Sequence, residues 1–594
     1  MNRRELLEFA GLSAVAFAVG EPLWALAKNG LQAGGAAFNQ VGYLPGHQKA
    51  ASVLVRDTAD MAFTVQSVRT GKAVFQGTLS APMMDAASGD RLALADFSSM
   101  TTPGEYRLAA QGMRSESFLV GKDVYRLALR TTVRAFYGQR CGCAVDLGGG
   151  YSHPACHMDG AFHSSSGKEG KLPNHGGWHD AGDYGRYVVN SGISTGTLLW
   201  AWELYPEVLK RLSLGIPESG GKTPDYLAEI RWNLEWMLQL QDDDGGVWHK
   251  QTSEQFCGFI MPEKDGLTSY VIGTGSAPYK STCATADLAA VMAIAARCYG
   301  PYDDAFAGRC LAAAKKAWTW AQAHPNVLFE NPAGVGTGGY GDAHCNDELL
   351  WASAELWRTT GEAEYEQAFL VQAGELTPEL SIAVPGWGSL APMAYWSYLM
   401  ADRKASRLAA SGLAGKVEPE EMKARIRKQT AIAAEVLRGR RALSGYGHTL
   451  AISDFGWGSN GVAANQSMLL LVAHHFEANP AVRQELQEAA LGNLHYLLGR
   501  NCFGVSWVTQ IGTNPFQKPH HRPSAADGIA APWPGLLSGG PNAQPGDTVA
   551  RSLPAGAPMR MWVDDERAYS MNEMAINWNA PLVFLLAGAN ALAA

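Results

Sequence analysis

Between residues 36 and 121 apolar and polar side chains alternate in short runs, as in Ala51-Ser52-Val53-Leu54-Val55 and Glu105-Tyr106-Arg107-Leu108-Ala109, with Gly71, Pro103-Gly104 and Gly112 between them. A period of two broken by turn formers predicts a small β-sandwich. From about residue 125 the apolar spacing changes to near 3.6, which predicts helices around 125–140, 189–205, 223–241, 283–299, 302–323, 346–358, 362–371, 389–401, 418–438, 461–477, 481–498 and 570–592. Glycine and proline punctuate the long connections, and such connections in a compact domain usually carry function. Twelve helices also suit an α-solenoid, but no repeated sequence period is visible, which disfavours it.

The N-terminus departs from both patterns. Met1-Asn2-Arg3-Arg4-Glu5-Leu6-Leu7 precedes an apolar run from Phe9 to Val19, and Ala25-Leu26-Ala27 reads as a small-residue cleavage site. Paired arginines before a moderate apolar stretch resemble a twin-arginine export signal, so residues 1–27 are expected to send the protein to the periplasm or outside the cell. The run is too short to span a membrane, and an uncleaved anchor is the alternative. With 47% hydrophobic and 18% charged residues over 594 positions, the composition is that of a globular protein large enough for more than one domain. A net charge of -8 with no basic block argues against nucleic acid and suits a neutral polymer as partner.

The most distinctive chemistry lies in Gly176-Gly177-Trp178-His179-Asp180-Ala181-Gly182-Asp183-Tyr184-Gly185. Glycines free the backbone so that Asp180 and Asp183 can address one water, while Trp178 offers an apolar face; the same residues also suit an ordinary turn. About 390 residues later, Glu573 stands in the mostly apolar segment from Tyr569 to Val583. A carboxyl that loses hydration holds its proton more tightly, which makes Glu573 a candidate acid; the alternative is a solvated glutamate in the first turn of a C-terminal helix. Glycosidic hydrolysis needs one carboxylic acid and one carboxylate, and both are present. Between them, the proline-stiffened run Asn514 to Ser524 carries His520 and Arg522, donors suited to sugar hydroxyls.

Nine cysteines, at 141, 143, 156, 257, 283, 298, 310, 345 and 502, cannot all pair within the chain. Cys283 and Cys298 lie in alanine-rich helical runs and are expected as buried core thiols. Cys141, Cys143, Cys156, His157, His175 and His179 form a denser group of the kind that builds a closed tetrahedral zinc site, with a disulfide between two of these cysteines as the alternative.

The Asp180–Asp183 loop, the Pro519-His520-His521-Arg522-Pro523-Ser524 run and the Asn572-Glu573-Met574-Ala575-Ile576-Asn577-Trp578-Asn579-Ala580-Pro581-Leu582-Val583 run resemble the three signatures of glycoside hydrolase family 9, in that order. Arg140-Cys141-Gly142, Ile216-Pro217-Glu218-Ser219-Gly220, Trp457-Gly458-Ser459-Asn460 and Leu498-Gly499-Arg500-Asn501 extend the likeness from about residue 125 to the C-terminus. The stretch Phe38-Asn39-Gln40-Val41-Gly42-Tyr43-Leu44-Pro45 resembles the immunoglobulin-like module that precedes many such catalytic domains. The resemblance implies a mainly α fold, an (α/α)6 barrel over residues 125–594 behind an immunoglobulin-like β-sandwich over 36–121. It implies an inverting hydrolase of cellulose or related β-1,4-glucans that acts within the chain. Exo-acting β-glucosidase, cellobiohydrolase and glucosaminidase activities are the alternatives within the family, and a non-catalytic carbohydrate-binding protein is the alternative outside it.

By position, the resemblance makes Asp183 the general base, Asp180 its partner on the same water, and Glu573 the general acid. His520 and Arg522 become contacts to the sugar bearing the scissile bond; Tyr340, Trp457 and Tyr569 become substrate-binding residues, with Trp387 and Trp248 weaker candidates. Cys141, Cys156, His157 and His179 would hold a structural zinc, with Cys143 and His175 in reserve. Calcium is implied at Asp347 and Glu348, but Ser389 stands where another acid is expected, and the two acids also suit a simple helix start. Neither metal is needed for the chemical step. Export in the folded state implies free or metal-bound thiols, and the enzyme is expected to meet its β-glucan as a monomer without a membrane span.

Overall fold

The computed structural model describes residues 35–173, 176–376, 380–401 and 418–593. The expected signal at 1–27 and the reserve ligand His175 lie outside the described residues. The first module is the predicted β-sandwich. One sheet orders Ala36–Ala37, Ala50–Leu54, Arg91–Asp96 and Met83–Met84; the other orders Gly42–Tyr43, Phe118–Val120, Gly104–Ala110, Ala62–Ser67 and Ala73–Thr78. Neighbouring strands run antiparallel except Gly42–Tyr43 beside Phe118–Val120. Period-two burial brings Val53, Val65, Phe97, Leu108 and Phe118 into one core between the sheets. Long-range polar bonds anchor this module to the helical domain: Ser52 donates to the Gly445 carbonyl at 2.6 Å and accepts from Arg500 Nε at 2.9 Å.

The helical domain contains twelve long helices among the described residues: α1 (Arg126–Gly138), α2 (Val188–Leu204), α3 (Asp225–Gln239), α4 (Thr282–Tyr299), α5 (Asp304–Ala323), α6 (Asn346–Thr360), α7 (Ala363–Leu376), α8 (Ala391–Met400), α9 (Pro419–Leu443), α10 (Ser459–Phe476), α11 (Pro480–Leu497) and α12 (Ile576–Leu592). The even-numbered helices form the inner ring. α2 packs on α4, α4 on α6, α6 on α8, α10 on α12 and α12 back on α2, with α9 joining α8 to α10. The inner helices are buried almost all round, as α4 shows over nearly its whole length, whereas the outer α9 buries only Met422, Ile426, Thr430, Ala434 and Leu437, a stripe at helical spacing. This is an (α/α)6 barrel, and no helix among the described residues is long and apolar enough to cross a membrane.

Two expectations are corrected. The last helix does not begin at 570: Tyr569–Asn572 is a separate turn, Glu573 is extended (φ -61°, ψ 143°), and α12 starts only at Ile576. The break is enforced by pairing across the barrel mouth, because Gly539 N–H donates to the Glu573 carbonyl at 2.7 Å and His520 lies beside Glu573 in a parallel bridge. Cys283 is not a free core thiol either. It begins α4 beside Cys345, the residue before α6, and the two are joined in a disulfide; Cys298 is a buried free thiol as expected.

Candidate active site

Each connection from an outer helix into the next inner one contributes to a single mouth. The α1–α2 connection brings Asp180 and Asp183, α3–α4 brings Phe259, α5–α6 Tyr340, α7–α8 Trp387, α9–α10 Trp457, and α11–α12 His520, Arg522, Tyr569 and Glu573.

The Asp180 loop is held from below and from the side. Asp180 N–H donates to the Gly185 carbonyl at 2.9 Å, closing the turn, and the Asp180 carbonyl accepts from Ile576 N–H at 2.8 Å. Its carboxylate accepts from Tyr340 hydroxyl at 2.6 Å and from the Asn190 amide. Asp183 Oδ2 accepts from Tyr187 hydroxyl and from Gly185 N–H, both at 3.0 Å. Gly182 has no room for a side chain, since a Cβ there would lie 1.9 Å from the His520 carbonyl oxygen. The Gly182 carbonyl accepts Arg522 N–H at 3.2 Å and Arg522 Nη1 at 2.7 Å, so the first and third motifs meet backbone to backbone.

Burial sorts the three carboxyls. It raises Asp180 to about 7, with the neighbouring Asp183 charge adding to the rise and Tyr340 and Asn190 opposing it. It also raises Asp183, against which the Arg522 charge and the Gly185 and Tyr187 donors act. Glu573 is raised well above the ordinary range by burial and by both aspartates, with only Arg522 and Gly182 N–H opposing. One group is therefore equipped to keep a proton and two to accept one.

His520 Nδ1 faces the Glu566 carbonyl at 2.6 Å, which fixes the ring, and burial lowers its pKa to about 4, so it stands neutral. Arg522 is bound by Cys257 and Gly182 carbonyls and lies over Phe256 and Phe259. Aromatic rings line the mouth in sequence: Phe259 to His520 at 5.1 Å, His520 to Tyr569 at 5.8 Å, and Tyr569 to Trp457 at 5.5 Å. Trp457 is 53% exposed and free to stack, whereas Trp248, a weaker candidate, is only 2% exposed and belongs to the core. Tyr340 stands between Tyr187 and Trp387 with its hydroxyl committed to Asp180. Tyr187, Asn190 and Phe259 were not singled out from sequence; Tyr187, just before α2, and Asn190, in its first turn, follow Asp183 closely enough that their polar groups were a usable signal, but nothing local marks Phe259.

Cys141, Cys156, His157 and His179 converge, with one ligand atom from each within 4.8 Å of every other. Cys143 is a separate, half-buried thiol. Nδ1 of His157 is buried without a hydrogen-bond partner while its Nε2 meets Asp265 Oδ2 at 3.2 Å, the arrangement in which a carboxylate orients a metal-binding imidazole. His179 N–H donates to the Gln139 carbonyl at 2.7 Å and Gln139 Nε2 donates back to the His179 and Ala181 carbonyls, so this cluster and the Asp180 loop share one anchor at Gln139. The donor set fits a closed thiolate and imidazole site. At the other expected position, Asp347 Oδ2 accepts from Leu390 N–H at 2.7 Å, next to Ser389. Both carboxyl oxygens of Glu348 and of Asp287, a residue of α4, are buried without partners, oxygen donors of the kind a hard cation takes.

The model of glycosyl hydrolase family 9 matches residues 125–586, and that of the cellulase N-terminal Ig-like domain matches residues 36–115. The chain belongs to glycosyl hydrolase family 9. It is 35% identical to Endoglucanase D of Acetivibrio thermocellus over 93% of this chain and 82% of that protein, and 34% identical to the xyloglucan-specific endo-beta-1,4-glucanase BoGH9A of Bacteroides ovatus over 94% of each. A solved family 9 structure, described as a Zn-binding triple mutant of endoglucanase J30, superposes with a TM-score of 0.83 at 34% identity, covering 92% of this chain and 99% of that one. As a member of this family the chain is a glycoside hydrolase, and its barrel and immunoglobulin-like module are those of the family. The shared segments Arg140-Cys141-Gly142 and Ile216 to Gly220 also meet in space: Arg140 forms a two-bonded ion pair with Glu218 at 2.9 and 3.0 Å.

Proposed function

We propose that this glycoside hydrolase cleaves β-1,4-glucosidic bonds within cellulose-type β-glucans with inversion at the anomeric carbon. The observation that carries the reading is the sorting of the three carboxyls, with Glu573 holding its proton opposite two aspartates supplied with hydrogen-bond donors. Asp183, aided by Asp180, removes a proton from water; the water oxygen bonds to the anomeric carbon as the glycosidic bond breaks, and the departing oxygen takes the Glu573 proton. The cycle ends with Glu573 ionised and Asp183 protonated, and solvent restores both. Neutral His520 and the Arg522 cation line the position of the reacting sugar. Exposed aromatics on both sides of His520, Phe259 and Tyr569, support a chain that runs past the site, as endo action requires. A non-catalytic sugar binder has no use for a sorted acid and base.

The deciding experiment tracks viscosity and anomer together on a soluble β-1,4-glucan. A rapid viscosity fall with α-anomer release is the expected result. Steady disaccharide release at nearly constant viscosity would replace endo by exo action, and no release from any β-glucan would end the proposal.

Zinc is the metal we propose for Cys141, Cys156, His157 and His179, where it would fix the approach to the catalytic loop and supply no nucleophile. Calcium is proposed at Asp347 and Glu348 with Asp287 as the added carboxylate; a calcium-dependent rise in melting temperature that Asp287→Asn does not reduce would remove Asp287 from that set. Export through Arg3 and Arg4 is likewise proposed, and retention in the cytoplasm of an Arg3→Lys, Arg4→Lys variant is the expected outcome; unchanged export would refute it.

A further inference from the structure

Lys250 is fully buried on the strand Lys250–Thr252, and its ammonium is spent on one loop. Nζ donates to Asn331 Oδ1 at 2.7 Å, to Thr337 Oγ1 at 3.1 Å, and to the carbonyls of Thr337 at 3.3 Å and Gly338 at 2.7 Å. Its neighbours grip the same loop: His249 Nε2 meets the Gly339 carbonyl at 2.8 Å and Thr252 Oγ1 meets Thr337 Oγ1 at 2.8 Å. The next residue is Tyr340, held at φ 46°, whose hydroxyl donates to Asp180. On its other side Lys250 pairs in register with Tyr187, whose hydroxyl donates to Asp183.

We infer that Lys250 is a positioning residue for hydrolysis, a buried cationic clamp that sets Tyr340 on Asp180 and supports Tyr187 on Asp183. The inference rests on the proposed roles of the two aspartates. A buried ammonium is costly to desolvate, and a neutral side chain would pack here without that cost. The cost is offset by four oxygen acceptors on one loop; Thr337 keeps Asn331 Nδ2 on its carbonyl and Thr252 on its hydroxyl, so a methyl-terminated side chain would take the donor from Asn331 Oδ1 and the Gly338 carbonyl. Burial lowers the Lys250 pKa to about 7, with Asp183 opposing the fall. The groups that face it are Asp183 and Tyr187 from the α1–α2 connection, neutral Asn331 and Thr337 from the α5–α6 connection, the Phe329 ring at 5.6 Å, and His249 beside it, whose pKa burial lowers to about 3. Asp183 is the one ionised group whose charge raises Lys250, so by reciprocity losing the ammonium raises that acid's pKa.

The test compares the full-length wild type with Lys250→Met, Tyr340→Phe and the double variant on soluble β-1,4-glucan, together with a crystal structure of Lys250→Met. Lys250→Met is expected to lower kcat by roughly 10- to 100-fold with KM changed by less than about threefold, in line with a loss of alignment rather than of binding. The acidic limb of its pH profile moves to higher pH, the double variant loses little more than the worse single one, and the crystal structure shows Tyr340 detached from Asp180. Should Lys250→Met fail to fold, Thr337→Val removes one acceptor of the ammonium without exposing it, and the same pattern is expected at a few-fold scale. Additive losses, an unmoved acidic limb, or Tyr340 still on Asp180 in the variant would overturn the inference. A wild type inactive on every β-glucan would instead defeat the proposed activity, and the crystal structure would still decide whether Lys250 holds Tyr340.

Discussion

Replacing Gly182 by alanine adds one methyl group at the point where the loop of the proposed base touches the loop of the proposed acid. The new Cβ would lie 1.9 Å from the His520 carbonyl oxygen and 2.8 Å from its carbon. Real Cβ contacts stay beyond 3.0 Å, so the two loops must part by about 1 Å, a distance over which steep repulsion leaves no alternative. The backbone of Gly182 is not in the left-handed region, so the cost is steric and falls on the interface rather than on the turn. That interface carries the Arg522 bonds to the Gly182 carbonyl and the Gly182 N–H toward Glu573. Parting it moves the acid relative to the base, and a misplacement of about 1 Å costs on the order of 100-fold in kcat. Overpacking of this kind costs about 1–3 kcal/mol of stability, which scanning calorimetry registers as a lower melting temperature in a protein that still folds. Initial rates on a soluble β-glucan give kcat and KM. A folded variant with kcat within twofold of wild type would show that this loop register is not needed for turnover.

Glu573→Gln removes the proton donor while keeping the shape of the side chain; a loss of about 10³-fold on natural β-glucans is expected with an unchanged melting temperature, and near-normal turnover would remove the assigned role. Arg522→Gln takes away a charge that lowers both Asp183 and Glu573, so both acids rise and both limbs of the pH–rate profile move to higher pH; a profile that only shrinks in height would contradict this electrostatic part. Asp265→Asn is expected to weaken zinc binding by roughly 10- to 100-fold in a chelator competition, with melting temperature falling before activity as metal is withdrawn, and equal affinity would show that Asp265 does not orient His157.

The helical periodicity placed all twelve barrel helices because each inner or outer helix must bury a fixed face over several turns, a signal that accumulates with length. The catalytic motifs were legible for a different reason: Asp180, Asp183, His520, Arg522 and Glu573 each sit among the glycines, prolines and aromatics that shape their own loops. Glu573 itself showed the limit. Apolar spacing continues through residues 570–592, and the break before Ile576 comes from pairing with Gly539 and His520, residues that no local window contains. The same holds for Lys250, Asp265 and Phe259, whose partners lie on other connections, and for Cys283, whose helical run reads as core until Cys345 is brought beside it. Cys156 and His157 stood out only as members of a six-residue group, and the choice of the four proposed zinc ligands within it came from the resemblance.

Glu573, the proposed acid, arrives on the last connection of the barrel, and α12, the helix next after it, is also the one that seals the inner ring against α1, α2 and α10. If the proposed roles hold, a nascent chain carries Asp180 and Asp183 for most of its synthesis with no proton donor opposite them. Under the proposed roles hydrolysis waits until this segment is in place, and a chain cut short before Glu573 has neither a closed ring nor a proton donor. Contacts of such high sequence separation are opposed by loop-closure entropy, and in this reading turnover reports that the ring has closed.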